Sequence, residues 1–440
     1  MVITRFAPSP TGRLHAGNIR TALVNWLLAR AMGGRFLLRL DDTDRARSTE
    51  AAADAIRADL DWLGLTPDGE ARQSDRFARY DAALEQLAAA GRAYRAYETP
   101  EELELKRRVQ QSRGLPPLYD RAALALSAAD HERMVAESRA PHWRFKLDHD
   151  APIAWEDGVR GACHFHPEAL SDPVIRRADG SWLYLLPSVV DDAEMGVTHV
   201  VRGEDHVTNS AVQLQMFAAL GAAPPALAHL ALLTGADAAL SKRLGSEGVD
   251  SWQAAGIEPL AVCALLARLG TSQPVEPVTG LDPLIQSFSL SHFGRAPARF
   301  DPQDLQALSA RILHALPHEA VADRLPGLGA DIWTAVQGNL TRLDDARDWQ
   351  AIIAGPVSAT VADEDRDYLQ TAAETLERLD WTPDVWQALT GALKETTGRK
   401  GRALFMPLRL ALTGEAHGPD MASLLPLIGR DAALARLRGA

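Results

Sequence analysis

Two short runs near the start of the chain, "VITRFAP" and "RFLLRLDDTD", leave few folds open to it. The first is apolar in alternation and closed by a proline, and the second ends on acidic residues. Between them Ile19, Ala22, Leu23, Trp26, Leu27 and Arg30 recur at helical spacing, and Gly33 and Gly34 stop the helix they define. A two-residue turn joins antiparallel strands, whereas strands joined through a whole helix run parallel. The pattern therefore predicts a strand–helix–strand crossover in an α/β sheet. "STEAAADAIRADLDWLGL" follows as a second helix, with Ser48 or Thr49 as its cap and Gly64 past its end.

From about Tyr94 to Asp172 the character changes. The charged helix "TPEELELKRRVQQSRG" precedes strand-like pieces, "HWRFKL" and "PIAWEDGVRG", which together predict an insertion with its own small sheet. "WLYLLPSVVDDAEMGVTHVVRGEDH" then returns to the α/β pattern. Beyond "LSKR" no strand signal remains, and amphipathic helices alternate with Pro/Gly turns. At 440 residues about two to four domains are expected.

Composition narrows the class. Charged residues make up 24% and hydrophobic residues 46%, as in an ordinary globular protein. No run of apolar residues is long enough to span a membrane, and Met1 leads straight into a strand without a secretory leader pattern. Two cysteines, Cys163 and Cys263, argue against a disulfide framework and predict a cytoplasmic location. The net charge of −12 disfavours nucleic acid, yet it is unevenly spread. Residues 391–440 hold Lys394, Arg399, Lys400, Arg402, Arg409, Arg430, Arg436 and Arg438 against Glu395, Glu415, Asp420 and Asp431, an excess of four positive charges.

Chemistry is most legible in "RFAPSPTGRLHAGN". Gly12 and Gly17 stand between the first strand and the first helix, where phosphate loops sit, but Asn18 and Ile19 replace the Lys and Ser/Thr of a P-loop. The glycine triplet of a dinucleotide fingerprint is also absent, although Asp41 ends the second strand. A third kind of loop uses a histidine together with the free N–H groups and positive end of the helix to meet ATP phosphates. His15 fits it. Lys242, in the polar loop "ALSKRLGS", is placed in the sequence to supply the missing cation.

Taken together, "SPTGRLHAGN", "LDDTD", "VVRGEDH" and "LSKR" resemble the catalytic core of class I aminoacyl-tRNA synthetases. "RFAPSPTG", "LDDTDR", "YRAYETPEEL", "VVDDAEMGVTHVVRGEDH" and "LFMPLRLALTG" narrow the resemblance to the bacterial glutamyl-tRNA synthetase family, over essentially the whole chain. The resemblance implies a doubly wound Rossmann-like catalytic domain split into 1–93 and 172–236, with an α+β insertion for the tRNA acceptor end at 94–171. A stem-contacting region with the "LSKR" loop would occupy 237–310, and an all-α anticodon-binding domain 311–440.

It also implies roles. ATP, with Mg²⁺ bridging its phosphates, would meet Ser9, Pro10, Thr11, Gly12, His15, Gly17, Asn18, Leu240, Ser241, Lys242 and Arg243, with His15 and Lys242 catalytic. Arg5 would read the side-chain carboxylate of L-glutamate, Arg202 its acidic groups and Asp41 its ammonium, with Ala7, Ser9, Tyr184 and Ser188 completing the pocket. Two departures stand out. Asp41 is a glutamate in most relatives, and the lysine that often precedes "LSKR" is Ala239. Where many relatives bind zinc through two cysteines, "YRAYET" has Ala96 and Glu98, so no zinc is expected, and "CHFH" (Cys163, His164, Phe165, His166) offers no fourth ligand.

tRNA contacts are expected at Gln350, Arg399, Lys400, Arg402 and Arg409, in a monomer with no membrane partner. Relatives restricted to tRNA(Glu) read the last anticodon base with an arginine. At Gln350 and Ala351 no arginine stands, so tRNA(Gln) is a second expected acceptor beside tRNA(Glu). Three alternatives share parts of this pattern: a tRNA-modifying glutamyl transferase, a nucleotidylyltransferase, and a tRNA-binding module without catalysis. The first two lack or do not need the long helical half, and the third has no use for His15, Lys242, Arg5 and Arg202.

Overall fold

A computed structural model of the chain describes residues 1–235 and 248–440. These divide into two compact units: residues 1–252, 262–276 and 280–302, and residues 253–261, 277–279 and 303–440.

The first unit is built on the expected crossover. β1 (Ile3–Phe6) passes through α1 (Ala16–Ala31) into β2 (Arg35–Leu40), and the two strands pair in parallel from Ile3↔Arg35 to Phe6↔Leu38. α1 forms because Ile19, Leu23, Trp26 and Leu27 recur on a face that is buried on the sheet. α2 (Glu50–Trp62), capped by Thr49, leads into β3 (Gly69–Arg72), which lies parallel beside β2. After α3 (Phe77–Ala89) come β4 (Ala93–Ala96), α4 (Pro100–Ser112), α5 (Ala128–Ala136) and β5 (His142–Phe145). β6 (Ile153–Asp157), β7 (Gly161–Phe165) and β8 (Val174–Arg176) follow. The chain then enters α6 (Leu185–Glu194), β9 (His199–Gly203), α7 (Val207–Leu220) and β10 (Ala226–Leu230).

β9 returns to the far edge of β1. The Thr198 N–H donates to the Ile3 carbonyl at 2.9 Å, and Thr198 Oγ1 accepts the Ile3 N–H at 2.8 Å. β10 pairs with β9 in parallel from Ala226↔His199 to Leu230↔Gly203. The order across both ladders is therefore β3-β2-β1-β9-β10-β6-β7. Connections turn outward in opposite directions from β1 and β9, and the crevice beyond the carboxyl ends of two such strands is where open α/β sheets bind ligands.

Two expectations need correction. The hairpin of β6 and β7 does not belong to a sheet of the insertion: β6 joins β10 in parallel at Leu227↔Asp157. Asp157 draws it there by accepting the His229 N–H at 3.0 Å. The insertion's own sheet is β4-β5-β8, closed by a strand beyond the expected boundary at 171. A strand also follows "LSKR": β12 (Ala298–Phe300) pairs in parallel with β11 (Leu233–Gly235), which precedes it. Three residues are too few to show a period in sequence.

The second unit is helical among its described residues, from 303 onward. Helix Arg366–Arg378 buries Leu369, Ala372, Ala373 and Leu376 as its inner stripe. Helix Arg402–Thr413 contains Pro407, which has no N–H for the Ala403 carbonyl four residues back. Arg399 Nη1 donates to that carbonyl at 3.3 Å instead.

Candidate active site

A cleft of about 630 Å³ opens at the crevice between β1 and β9. Arg5 lines it from β1, Ala7, Ser9, Thr11 and Gly12 from the loop that follows, and His15, Gly17 and Asn18 from the start of α1. Arg39, Asp41, Tyr184, Ser188, Arg202 and His206 complete the lining used below. Pro10 is buried and does not line the cleft; its carbonyl accepts the Thr49 N–H at 3.1 Å.

The first turn of α1 is organised by His15. As N-cap, its Nδ1 accepts the Gly17 N–H at 3.2 Å, while Asn18 Oδ1 accepts the His15 N–H at 3.4 Å. An Nδ1 that accepts carries no proton, so the ring proton sits on Nε2 and remains available as a donor. Desolvation holds the His15 pKa below the ordinary histidine value, which favours this neutral tautomer. In the same turn, a Cβ on Gly17 would lie 3.1 Å from His15 Cε1, close enough that the ring would have to give by a few tenths of an ångström. The chain comes back to this loop at Gly248, which forms an isolated antiparallel bridge with His15. A Cβ on Gly248 would stand 2.4 Å from the Leu14 carbonyl oxygen. Leu240, Ser241, Lys242 and Arg243, together with Ala239, lie outside the described residues.

Beside the loop, Arg13 Nη1 lies 3.8 Å from Asp59 Oδ1 and its Nε 4.0 Å from Asp250. Asp59 Oδ2 is buried without a hydrogen-bond partner. Burial pushes the Asp59 carboxyl up to about 6, with Arg13 opposing and Asp250 reinforcing.

The floor of the cleft is an arginine–aspartate cluster. Arg39 is fully buried; its Nε and Nη2 donate to Asp41 at 2.7 and 3.2 Å, and its Nη1 to Asp192 at 2.6 Å. Ser188 Oγ accepts from Arg39 Nη2 at 3.3 Å. Arg5 donates to both oxygens of the same Asp192, at 3.0 and 3.3 Å. Burial drives the Asp41 carboxyl up to about 6 in spite of Arg39. At Asp192 burial pushes the same way, but Arg5 and Arg39 outweigh it and hold the pKa below the ordinary value. Both oxygens of Asp41 thus face Arg39 within the cleft wall. Sequence reasoning passed over Arg39 and Asp192; a charge inside the apolar run "RFLLRL" and the "DD" pair of "VVDD" were the available signals.

Arg202 differs from both. It is 7% exposed, and its Nη2 donates to Ser210 Oγ and Gln213 Oε1, both at 2.6 Å, while its Nη1 donates to the Tyr184 hydroxyl at 3.2 Å. All three partners are neutral. Its Nε is buried with no partner at all. A guanidinium at the wall of a cleft whose partners are all neutral can pair with an anion, and its planar fork favours carboxylate or phosphate. Tyr184 is held in turn by His206, whose Nδ1 lies 3.3 Å from its hydroxyl.

Of the expected tRNA contacts, all in the second unit, the structure leaves two open. Lys400 and Arg402 are exposed and have no ion-pair partner among the described residues. Arg399 pairs with Asp365 and lies 4.2 Å over the Tyr368 ring. Arg409 is turned inward, its Nη2 donating to the Pro419 carbonyl at 2.5 Å, and Gln350 donates to the Gly327 carbonyl at 2.8 Å. At the position of a zinc ligand in relatives, Glu98 accepts from the Tyr119 hydroxyl at 2.9 Å. Among the described residues no group of three or more His, Cys, Asp or Glu side chains could hold a metal ion.

Comparison with known proteins bears on this arrangement. Residues 1–307 match the family described as class I tRNA synthetases (E and Q), catalytic domain, and residues 332–440 match the anticodon binding domain. A glutamate–tRNA ligase of Rhizorhabdus wittichii is 64% identical over 441 residues, covering 100% of both chains. One from Novosphingobium aromaticivorans is 60% identical over 99% of each. A crystal structure of a glutamate tRNA ligase from Elizabethkingia meningosepticum in complex with its amino acid superposes with a TM-score of 0.85 at 28% identity, covering 100% of this chain and 98% of the other.

Proposed function

The chain belongs to the class I tRNA synthetases of the E and Q type, and we propose from that premise that it is a glutamate–tRNA ligase using ATP. The observation that carries this reading is Arg202, a buried cation with only neutral partners and an unpartnered Nε, on the wall of the cleft that His15 also lines. In the first step the glutamate α-carboxylate attacks the α-phosphorus of ATP, giving glutamyl-adenylate and releasing pyrophosphate. In the second the terminal ribose hydroxyl of tRNA attacks the acyl carbon, and AMP leaves.

Such chemistry asks mainly for alignment and charge stabilisation. His15, through Nε2–H, and the amides of the first turn of α1 would hold the triphosphate, with Mg²⁺ as part of the nucleotide substrate. Arg5 and Arg202 would receive the acidic groups of glutamate, with hydrogen bonds from Ser9 and Tyr184. Asp41, already tied to Arg39 through both oxygens, would offer its remaining lone pairs to the ammonium. Lys242 would neutralise the leaving pyrophosphate. The insertion at 94–171 would receive the acceptor end, 237–310 the stem and 311–440 the anticodon, in a cytoplasmic monomer that takes tRNA(Gln) besides tRNA(Glu).

ATP–pyrophosphate exchange measured with glutamate, with and without tRNA, tests the reading. Glutamate-dependent exchange and charging of a tRNA 3′ end are expected. Exchange without any tRNA charging would point to a nucleotidylyltransferase, and charging of tRNA(Glu) a thousandfold or more above tRNA(Gln) would refute the second acceptor.

A further inference from the structure

Behind Arg202 lies a line of buried side chains that the proposed chemistry does not use. Ser210 on α7 and His229 on β10 are wholly buried, and Asp157 at the end of β6 is nearly so. Asp157 Oδ2 is 2.5 Å from His229 Nδ1, His229 Nε2 is 2.6 Å from Ser210 Oγ, and Ser210 Oγ is 2.6 Å from Arg202 Nη2. An arginine N–H can only donate, so Ser210 Oγ accepts from Arg202. The serine's own proton goes to His229 Nε2 at 2.6 Å rather than to the His206 carbonyl at 3.3 Å. Nε2 then accepts, which leaves the ring proton on Nδ1 facing Asp157. Asp157 is anchored in its own right: its Oδ1 accepts the N–H groups of Val159, Arg160 and His229 at 3.1, 3.0 and 3.0 Å, and its Oδ2 the Trp155 indole N–H at 3.2 Å. Every bond in the line thus points the same way, from the guanidinium to a fixed carboxylate.

The order Asp–His–Ser is that of a hydrolytic triad, but here the serine oxygen is buried and already occupied by Arg202. We propose that Asp157, His229 and Ser210 form a positioning relay that stabilises the Arg202 cation and fixes its plane while keeping every carboxylate of the protein off the guanidinium. An aspartate in direct contact with Arg202 would compete with an incoming carboxylate for the same fork. Passing the negative charge through two neutral groups avoids that competition. The inference rests on Arg202 reading a carboxylate of the substrate.

KM values for glutamate and ATP in aminoacylation, with urea midpoints, are measured for Ser210→Ala, Asp157→Asn and Arg202→Lys. Asp157→Asn keeps Oδ1 and the side-chain volume, but its amide nitrogen cannot accept from His229 Nδ1–H, so the two bonds beyond Ser210 must reverse and Ser210 Oγ is left accepting from both Arg202 and His229. Ser210→Ala and Asp157→Asn are each expected to raise the glutamate KM about tenfold, with kcat and the ATP KM within about twofold of the parent. If Arg202→Lys raises the glutamate KM while the other two variants leave it unchanged, the relay is wrong and the reading of Arg202 stands. If Arg202→Lys leaves it unchanged, the reading of Arg202 falls and the relay with it. Equal rises for both substrates, tracking a lowered urea midpoint, would reduce the three residues to packing.

Discussion

Arg39 is fully buried and serves Asp41 and Asp192 at once, so its removal leaves Asp41 buried without its arginine and Asp192 with Arg5 alone. Breaking a buried ion pair from one side costs about 3–5 kcal/mol. Arg39→Ala is expected to lower stability by that amount in urea unfolding, and a loss under about 1 kcal/mol would mean that something else neutralises the cluster. Asp59 is the opposite case, a buried carboxylate with one oxygen unpartnered. Its folded pKa, near 6, lies above the ordinary aspartate value of 3.8, so its ionisation works against the folded state as pH rises through that window. Asp59→Asn is therefore expected to stabilise the protein at pH 7.5, by about 1–3 kcal/mol, with the gain shrinking by pH 5. A gain that does not change with pH would contradict this cause. Arg5, Asp41, Tyr184 and Arg202 were legible because each stands inside a local motif. Arg39 was not, because its partner Asp192 lies 153 residues further along the chain and no local spacing announces the pair.

Between β1 and β2 the sequence pattern and the structure agree closely, since a helical stripe and a proline-ended strand are local properties. The placement of the β6–β7 hairpin was not legible, because it depends on which strand accepts its edge rather than on its own residues. At the turn into α1 one atom separates two outcomes. Alanine in place of Gly17 favours the helix by propensity. Yet its Cβ would press on His15 at 3.1–3.2 Å and shift the ring that caps α1 and lines the cleft. Gly17→Ala is expected to keep or slightly raise the melting temperature while slowing adenylate formation about tenfold or more, since small displacements of positioning groups are costly. Single-turnover measurements of both steps check it; unchanged activation would show that His15 tolerates the shift.

Across the whole molecule the basic surplus of residues 391–440 is smaller than it looks. Arg399 and Arg438 are held by Asp365 and Glu377, and Arg409, Arg430 and Arg436 donate to backbone carbonyls. Lys394, Lys400 and Arg402, exposed and without an ion pair among the described residues, remain for phosphates. Lys400→Glu combined with Arg402→Glu is expected to raise the tRNA KM about tenfold and flatten its salt dependence, with the glutamate KM unchanged. Arg409→Ala should instead lower the unfolding midpoint. Unaltered tRNA affinity in the double variant would move the nucleic-acid surface elsewhere. The seam between β1 and β9 has a further consequence, in time rather than space. The hydrogen bonds that close it join Ile3 and Thr198, 195 positions apart. At roughly 5–20 residues per second on the ribosome, the first strand made waits about 10–40 s for its neighbour. During that interval one side of β1 offers unpaired backbone groups to any passing strand. A pause in synthesis before residue 198 would prolong that exposure, so the yield of native protein should depend on how evenly the first half of the message is read.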